Sequence, residues 1–358
     1  MSIILTLLIF TIIVIIHEWG HMIVAKKCNV LVEEFAVGMG PKVWGVKKGE
    51  TLYSIHCLPL GGYCKMADET PEDSTKVGFN QINVWKRMAI AFAGPFMNFV
   101  LAFCVMLAIS MVTAVQTTDI VSVSSNSAAE KGGICQGDKV IAINGKKTPV
   151  YNYINYYLSL NKGENVEITL LRDNKKIVKN ITPQYSEEAG KYIVGIACGG
   201  LAPLIDVGFY EYDNIENTRA KLWDCVVCGY NNTIFIVKVT FEGFMQLFTG
   251  KVGVDQLSGP IGVTTAVGDT YESAAKIGVF PIVISMCELI VLLSANLGIL
   301  NLLPVPGLDG GRILIFIVEI IRRKQLPPEK EGMVNLIGLG LIMILGIVIA
   351  YNDILRLL

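Results

Sequence analysis

Apolar residues run almost unbroken through positions 3 to 24, 89 to 115, 279 to 300 and 334 to 351. About 20 helical residues rising 1.5 Å each cover the roughly 30 Å hydrocarbon core of a bilayer, so each run predicts a membrane-spanning helix. Two other apolar stretches break this pattern. Residues 313 to 321, ILIFIVEII, are too short to span and predict a helix on, or half inside, the membrane surface. Residues 222 to 248 are long enough, but Asn231, Lys238, Glu242 and Gln246 follow one another at spacings of seven, four and four. That stripe predicts an amphipathic helix at the outer membrane surface, not a fifth span. Between spans two and three the period changes to two: DIVSVS at 119 to 124, GDKVIAINGKK at 137 to 147 with its Asn144-Gly145 turn, and ENVEITLLR at 164 to 172 before Asp173-Asn174. With the helix-compatible TPVYNYINYYLSL between them, these strands predict a small α+β, barrel-like soluble module.

Composition agrees with the spans. The 358 residues are 52% hydrophobic and 17% charged, too oily for an ordinary soluble protein, so a polytopic membrane protein is the natural class. A net charge of -1 and the lack of any Lys/Arg block exclude a nucleic-acid function. The first run does not read as a cleavable signal peptide, because no Lys or Arg precedes it and Lys26 and Lys27 follow it. By the positive-inside rule those lysines lie in the cytoplasm, as do Lys86 and Arg87 before span two. The same holds for Arg312, Arg322, Arg323, Lys324 and Lys330 between spans three and four. Both termini are then outside. Nine cysteines are scattered without the dense spacing of a disulfide framework, and the Cys225/Cys228 pair has no second CxxC and no histidine beside it, so it reads as neither metal nor redox site.

The chemistry lies in IIVIIHEWGHMIVAKK at 12 to 27. Each charged group at the centre of a bilayer costs on the order of 2.5 to 3.5 kcal/mol, so three ionisable residues in a turn and a half need a purpose. His17 and His21 stand at i and i+4 on one helical face with Glu18 between them, the HExxH pattern in which two imidazoles bind zinc and the glutamate acts on the attacking water. A catalytic zinc needs three protein ligands and one open position. The chain has only three histidines, so the third ligand is His56 or a carboxylate. Asp309 is the better candidate: it lies in NLLPVPGLDGG at 301 to 311, where Pro304 and Pro306 stop the third span and Gly310 and Gly311 permit close backbone approach. His56, in the extended TLYSIHCLPLGGY, reads as a surface or interfacial residue. The reaction class is peptide-bond hydrolysis. His21 precedes Lys26 by five residues, which sets it roughly 7.5 Å below the cytoplasmic boundary, so the scissile bond lies within the membrane.

Taken together these segments resemble the site-2 protease family of intramembrane zinc metalloproteases, in its bacterial RseP-type branch, over nearly the whole chain. HEWGH at 17 to 21 resembles the family's first-span zinc motif and NLLPVPGLDGG its third-span motif. The resemblance therefore implies zinc ligands His17, His21 and Asp309, catalytic Glu18, and Asn301 engaging the substrate or its reacting carbonyl. GMGPKVWG at 38 to 45 and LPLGGYCKM at 58 to 66 resemble the family's membrane re-entrant β-hairpin, an edge for substrate strand addition. Gly61, Gly62, Tyr63, Asn301 and Pro304 become candidate substrate contacts. FNQINVWKRMAIAFAGPFMNFVLA at 79 to 102 and SGPIG at 258 to 262 also look like family segments. GGICQGDKVIAINGKK at 132 to 147 resembles a PDZ domain, of which the chain has one, with Ser125 to Ala128 bordering its peptide groove or forming a plain loop.

The resulting architecture is a four-span α-helical membrane protein. Residues 1–25 form the HExxH span, 26–88 a cytoplasmic-side loop with the re-entrant hairpin, 89–115 span two, and 116–200 an extracytoplasmic PDZ domain. Residues 201–278 form extracytoplasmic amphipathic helices and linker, 279–303 span three, 304–333 the LDG motif and a cytoplasmic-side helix, and 334–358 span four with a short tail. The resemblance implies one zinc ion per chain and cleavage of single-span membrane proteins that a site-1 protease has already trimmed, with anti-sigma factors and remnant signal peptides as substrates. A membrane PDZ scaffold or chaperone with a structural metal is the alternative. A metal transporter would need polar residues along several spans, whereas these offer Glu288 and a few asparagines and serines. Glu288 and Asn98 each read as paired to a nearby polar group or water.

Overall fold

The computed structural model describes residues 2–69, 75–161, 163–187, 190–208, 215–251, 253 and 259–357; Ser258 of the SGPIG segment lies outside them. The elements in chain order begin with α1 (Ser2–Lys27), β1 (Val32–Lys48), β2 (Thr51–Met66), α2 (Val84–Val112), β3 (Val115–Val123), α3 (Ala128–Lys131), β4 (Lys139–Ile143), β5 (Lys146–Lys147) and α4 (Tyr151–Leu160). Next come β6 (Val166–Arg172), β7 (Lys175–Ile181), β8 (Gln184–Ser186), β9 (Lys191–Ile193), β10 (Ile196–Ala202) and β11 (Ile215–Arg219). The helices α5 (Leu222–Phe248), α6 (Pro260–Ala275), α7 (Val279–Leu302), α8 (Asp309–Arg322) and α9 (Pro328–Leu357) complete the chain. Two compact units result, one of residues 1–105 with 237–358 and one of residues 106–236.

Among the described residues α1, α2, α7 and α9 are the helices long and apolar enough to cross a membrane, in line with the four apolar runs. The second starts earlier than its apolar run because Asn83 caps it, its side-chain oxygen accepting the Trp85 N–H at 2.9 Å. It ends earlier because Val115 is taken into β3, where it pairs with Leu201. Arg87, a boundary charge by its sequence, is buried in the first turn of α2, paired with Glu319 of α8 at 2.5 Å and lying 4.8 Å over the Phe316 ring. Helix α7 stops at Leu302, just before Pro304, as the prolines require. The chain turns through Gly307, whose φ of 92° lies in the left-handed region, and re-enters helix at Asp309. A side chain at Gly310 would strike the carbonyl oxygens of Leu302 and Leu303, and one at Gly311 that of Val305, so both glycines allow α8 to start tight against the end of α7.

Strands β1 and β2 fold into a narrow curled sheet. Ile55 pairs with Trp44 on one side and Val37 on the other, and Val37 pairs in turn with Gly62. The segments therefore lie in the order 42–48, 51–56, 32–37 and 62–66, with the last as an outer edge. His56 is half-buried, with its side chain turned into the hairpin and 9% exposed. One ring nitrogen meets the Gly40 carbonyl at 2.6 Å and the other the Ser54 hydroxyl at 3.1 Å, while Tyr63 donates to Glu34 at 2.9 Å. These partly buried polar side chains satisfy one another. Met39, Val43, Trp44 and Leu58 are exposed on its outside.

The 106–236 unit carries a sheet in the order β11-β10-β3-β4-β6-β7, with β5 beside β4. Its core includes Ile143, Ile154, Ile168 and Leu170. Both predicted tight turns form: Asn144 and Gly145 have φ of 48° and 72°, Asp173 and Asn174 49° and 61°, the double left-handed geometry that suits strand twist. The sheet continues past residue 200 because β11 adds parallel to β10. Cys225 and Cys228 of α5 are free thiols packed in an apolar cluster with Val115 and Ala220, which suits packing rather than chemistry. Asp138 is buried, accepts the Cys135 N–H at 2.8 Å and is gripped by Arg172 through two bonds of 2.6 and 2.8 Å. The Arg172 guanidinium holds its carboxyl below the usual aspartate range. Asp138→Ala is expected to destabilise this unit by about 2–4 kcal/mol, read by hydrogen exchange in β4 and β6. Because the folded pKa is depressed, the contribution is complete above the unfolded value near about 4 and fades as pH falls below it through the folded pKa.

Candidate active site

Three side chains from two distant parts of the chain converge. The Nε2 atoms of His17 and His21 lie 3.2 Å apart, and Asp309 Oδ2 sits 3.1 Å from the first and 3.4 Å from the second. Helix periodicity supplies the histidine pair, and the broken end of α7 delivers Asp309 as the first residue of α8. Ligands about 2.0–2.1 Å from a tetrahedral zinc ion lie about 3.3 Å from each other, so this triangle has the size and the two-nitrogen, one-oxygen chemistry of a zinc site with one side free. His21 Nδ1 lies 2.8 Å from the Ile90 carbonyl oxygen. A carbonyl can only accept, so Nδ1 holds the ring proton and Nε2 presents its lone pair inward.

Glu18 and Asn301 border the same cavity of about 320 Å³, together with Cys64, Met66 and Arg312. The Asn301 amide nitrogen lies 3.4 Å from His17 Nε2. Cys64 belongs to the outer edge segment of β2, and its backbone N–H faces the Glu18 carboxylate. A larger cavity of about 1070 Å³ shares Cys64, Met66, Phe79, Arg312 and Asn335 with the first and continues among Asp68, Asn80 and Glu331.

Of the sequence candidates, His17, Glu18, His21, Asn301 and Asp309 meet at this cavity. Gly61, Gly62 and Tyr63 do not line it, although they adjoin Cys64 in the same strand segment. Pro304 is exposed in the turn and shapes the chain path outside the cavity. His56 stays within the hairpin, and among the described residues the cluster of side chains that could hold a metal ion is His17, His21 and Asp309. Asn98 does pair, with the His17 ring at 3.2 Å. Glu288 is exposed on α7 and forms no hydrogen bond or ion pair with a described residue.

Several residues of the site have no signature in the sequence. A side chain at Gly94 would enter the imidazoles of both His17 and His21, and one at Gly20 would strike the Ala93 carbonyl, so paired glycines let α1 and α2 touch. Gly338 of α9 gives room to the Pro306 carbonyl, and Asn335 accepts the Gly307 N–H at 3.4 Å, which seats the Asp309 turn.

The description Peptidase family M50 matches residues 5–345. The chain belongs to peptidase family M50. A Clostridium acetobutylicum protein is similar at 35% identity over 356 residues, covering 99% of this chain and 97% of the relative. The regulator of sigma-W protease RasP of Bacillus subtilis is 28% identical over 439 aligned positions, with 99% of each chain covered. The zinc metalloprotease RasP of Geobacillus kaustophilus is 30% identical over 434, covering 99% of this chain and 97% of the relative. This M50 protein is an intramembrane zinc metalloprotease of the site-2 type and a multi-pass membrane protein.

Proposed function

We propose that His17, His21 and Asp309 hold one zinc ion and that this M50 protease hydrolyses a peptide bond inside the transmembrane segment of a single-span protein already trimmed by another protease. The observation that carries it is the 3.1–3.4 Å triangle of ligand atoms built from α1 and α8, with α1 a helix long and apolar enough to span. When bound, zinc supplies a Lewis acid that makes water nucleophilic near neutral pH and polarises the scissile carbonyl. Glu18 takes a proton from the attacking water and returns it to the departing amine. Asn301, which lines the same cavity with its amide nitrogen 3.4 Å from His17 Nε2, donates its amide N–H to the substrate carbonyl oxygen.

An intact helix hides its peptide bonds, so the substrate must be drawn out. The open edge of β2 at 62–66 adjoins Glu18 through Cys64, and its backbone groups offer a template on which a substrate strand pairs. Gly61 and Gly62 let this segment lie close to Met39 and the Ala36 carbonyl of the hairpin itself, and Tyr63 is held by Glu34. The exposed apolar Met39, Val43, Trp44 and Leu58 suit a hairpin dipping into the bilayer. Lys26 and Lys27 end α1 and Arg322 lies in the last turn of α8, which supports a site near the cytoplasmic leaflet, with both termini and the 116–200 PDZ domain outside. The B. subtilis relative is named a regulator of sigma-W protease, which supports an anti-sigma factor as one substrate class, with remnant signal peptides as the other.

The direct test uses the full chain in lipid vesicles with a single-span helical substrate. Stripping metal with a chelator is expected to stop cleavage, and zinc to restore it. Cleavage that persists in the stripped protein refutes the proposal.

A further inference from the structure

Helix α2 donates no metal ligand, yet one of its faces backs both histidines. Ile90, Gly94 and Asn98 are spaced by four, so they follow one another along that face. Ile90 offers its carbonyl to His21 Nδ1 at 2.8 Å. Gly94 is the point where any side chain would invade both rings. Asn98 is fully buried, and its amide nitrogen lies 3.2 Å from His17 Nδ1 while its amide oxygen is buried without a partner. The Asn98 backbone carbonyl is pinned in turn by the buried Ser294 hydroxyl of α7 at 2.9 Å.

The nitrogen of His17 that faces His21 and Asp309 is Nε2. In a neutral imidazole that binds metal through Nε2, the ring proton stays on Nδ1 and needs an acceptor. The two ends of a side-chain amide have the same shape, so half a turn about the last bond of Asn98 exchanges them in place. In either orientation one end of the amide is unpaired. Only the rotated one gives the metal-binding tautomer of His17 a partner, and it reproduces for His17 what the Ile90 carbonyl does for His21.

We propose that Asn98 is a positioning residue of the zinc site: its side-chain oxygen accepts the His17 Nδ1–H, fixes the tautomer and ring orientation, and raises the basicity of Nε2. The proposal rests on the zinc reading above. Removing such a partner costs about 10–100-fold in metal affinity, so Asn98→Leu, which keeps the volume without the acceptor, is expected to bind zinc about 10–100-fold more weakly. Asn98→Asp restores an acceptor and is expected to stay within about threefold of wild type or to bind more tightly.

Zinc affinity is measured on the purified full chain by competition with a chelator. Nitrogen-15 spectra of histidine-labelled, zinc-loaded wild type report which ring nitrogen of His17 carries hydrogen, a tractable spectrum because the chain has only three histidines. The expected result is a proton on Nδ1 with Asn98→Leu weak and Asn98→Asp strong. If Asn98→Leu does not fold, the wild-type spectrum and Asn98→Asp still decide. A proton on His17 Nε2, an Asn98→Leu protein as tight as wild type, or an Asn98→Asp protein weakened about 10-fold or more, overturns the assignment of Asn98 while leaving zinc in place. A wild-type chain without stoichiometric zinc overturns both readings together.

Discussion

Glu18→Gln is expected to retain zinc and to lose about 10²–10⁴-fold or more in the cleavage rate of a reconstituted single-span substrate. The two side chains have nearly the same shape, so the i and i+4 histidines of α1 and the Asp309 carboxylate keep their places. What disappears is a basic oxygen in the cavity of about 320 Å³, where among the described residues the other carboxylate on the wall is Asp309, and Asp309 already faces both histidine nitrogens at 3.1 and 3.4 Å. Among the described residues that line this cavity, no second uncommitted carboxylate can take the proton. Metal analysis of the purified variant must accompany the rate, because a protein that has lost zinc as well would report on the site's integrity instead of on proton transfer. Undiminished cleavage by a zinc-loaded Glu18→Gln protein would sink the mechanism.

Asp309→Ala is expected to weaken zinc by more than about 100-fold, beyond the loss from removing a partner that merely orients a ligand, and to abolish activity. This substitution removes one corner of the triangle and leaves the two Nε2 atoms, 3.2 Å apart, with no negative group between them. It also separates the two halves of the site. The histidines sit on the first helix, and the third ligand reaches them only because α7 breaks at Leu302 and α8 begins at Asp309. Chelator competition on the full chain gives the affinity, and thermal melts with and without zinc show whether the broken α7–α8 turn loses its metal-dependent stabilisation. An Asp309→Ala protein holding zinc as tightly as wild type would mean that α8 is no part of the metal site.

The features legible in the sequence are those written in short-range periodicity. The spacing of His17 and His21 forces them onto one helical face, and the prolines at 304 and 306 force α7 to stop beside Asp309. Asn144-Gly145 and Asp173-Asn174 force two tight turns, and all of these stand in the structure. The broken helix end already favoured Asp309 over His56 in the sequence, and the structure sets Asp309 beside both histidines while His56 is held against Gly40 and Ser54 in the hairpin. Arg87 and Glu319 lie 232 residues apart, and no local pattern couples them.

Length, apolar runs and helical spacing thus determined by themselves that this chain has four candidate spans, a pair of histidines at 17 and 21 on one helical face, and a helix broken ahead of Asp309. The tertiary structure alone decided that Ile90, Gly94 and Asn98 back the histidines, that Cys64 brings the hairpin edge to Glu18, and that Gly338 and Asn335 seat the Asp309 turn. The physical reason is that the spans are apolar around their whole circumference. A helix in water shows its buried face by contrast with its polar one, whereas in lipid every face is oily and helices meet through small residues and single hydrogen bonds. Which faces meet is therefore set by fit in three dimensions, and one glycine or one asparagine carries information that hydropathy does not.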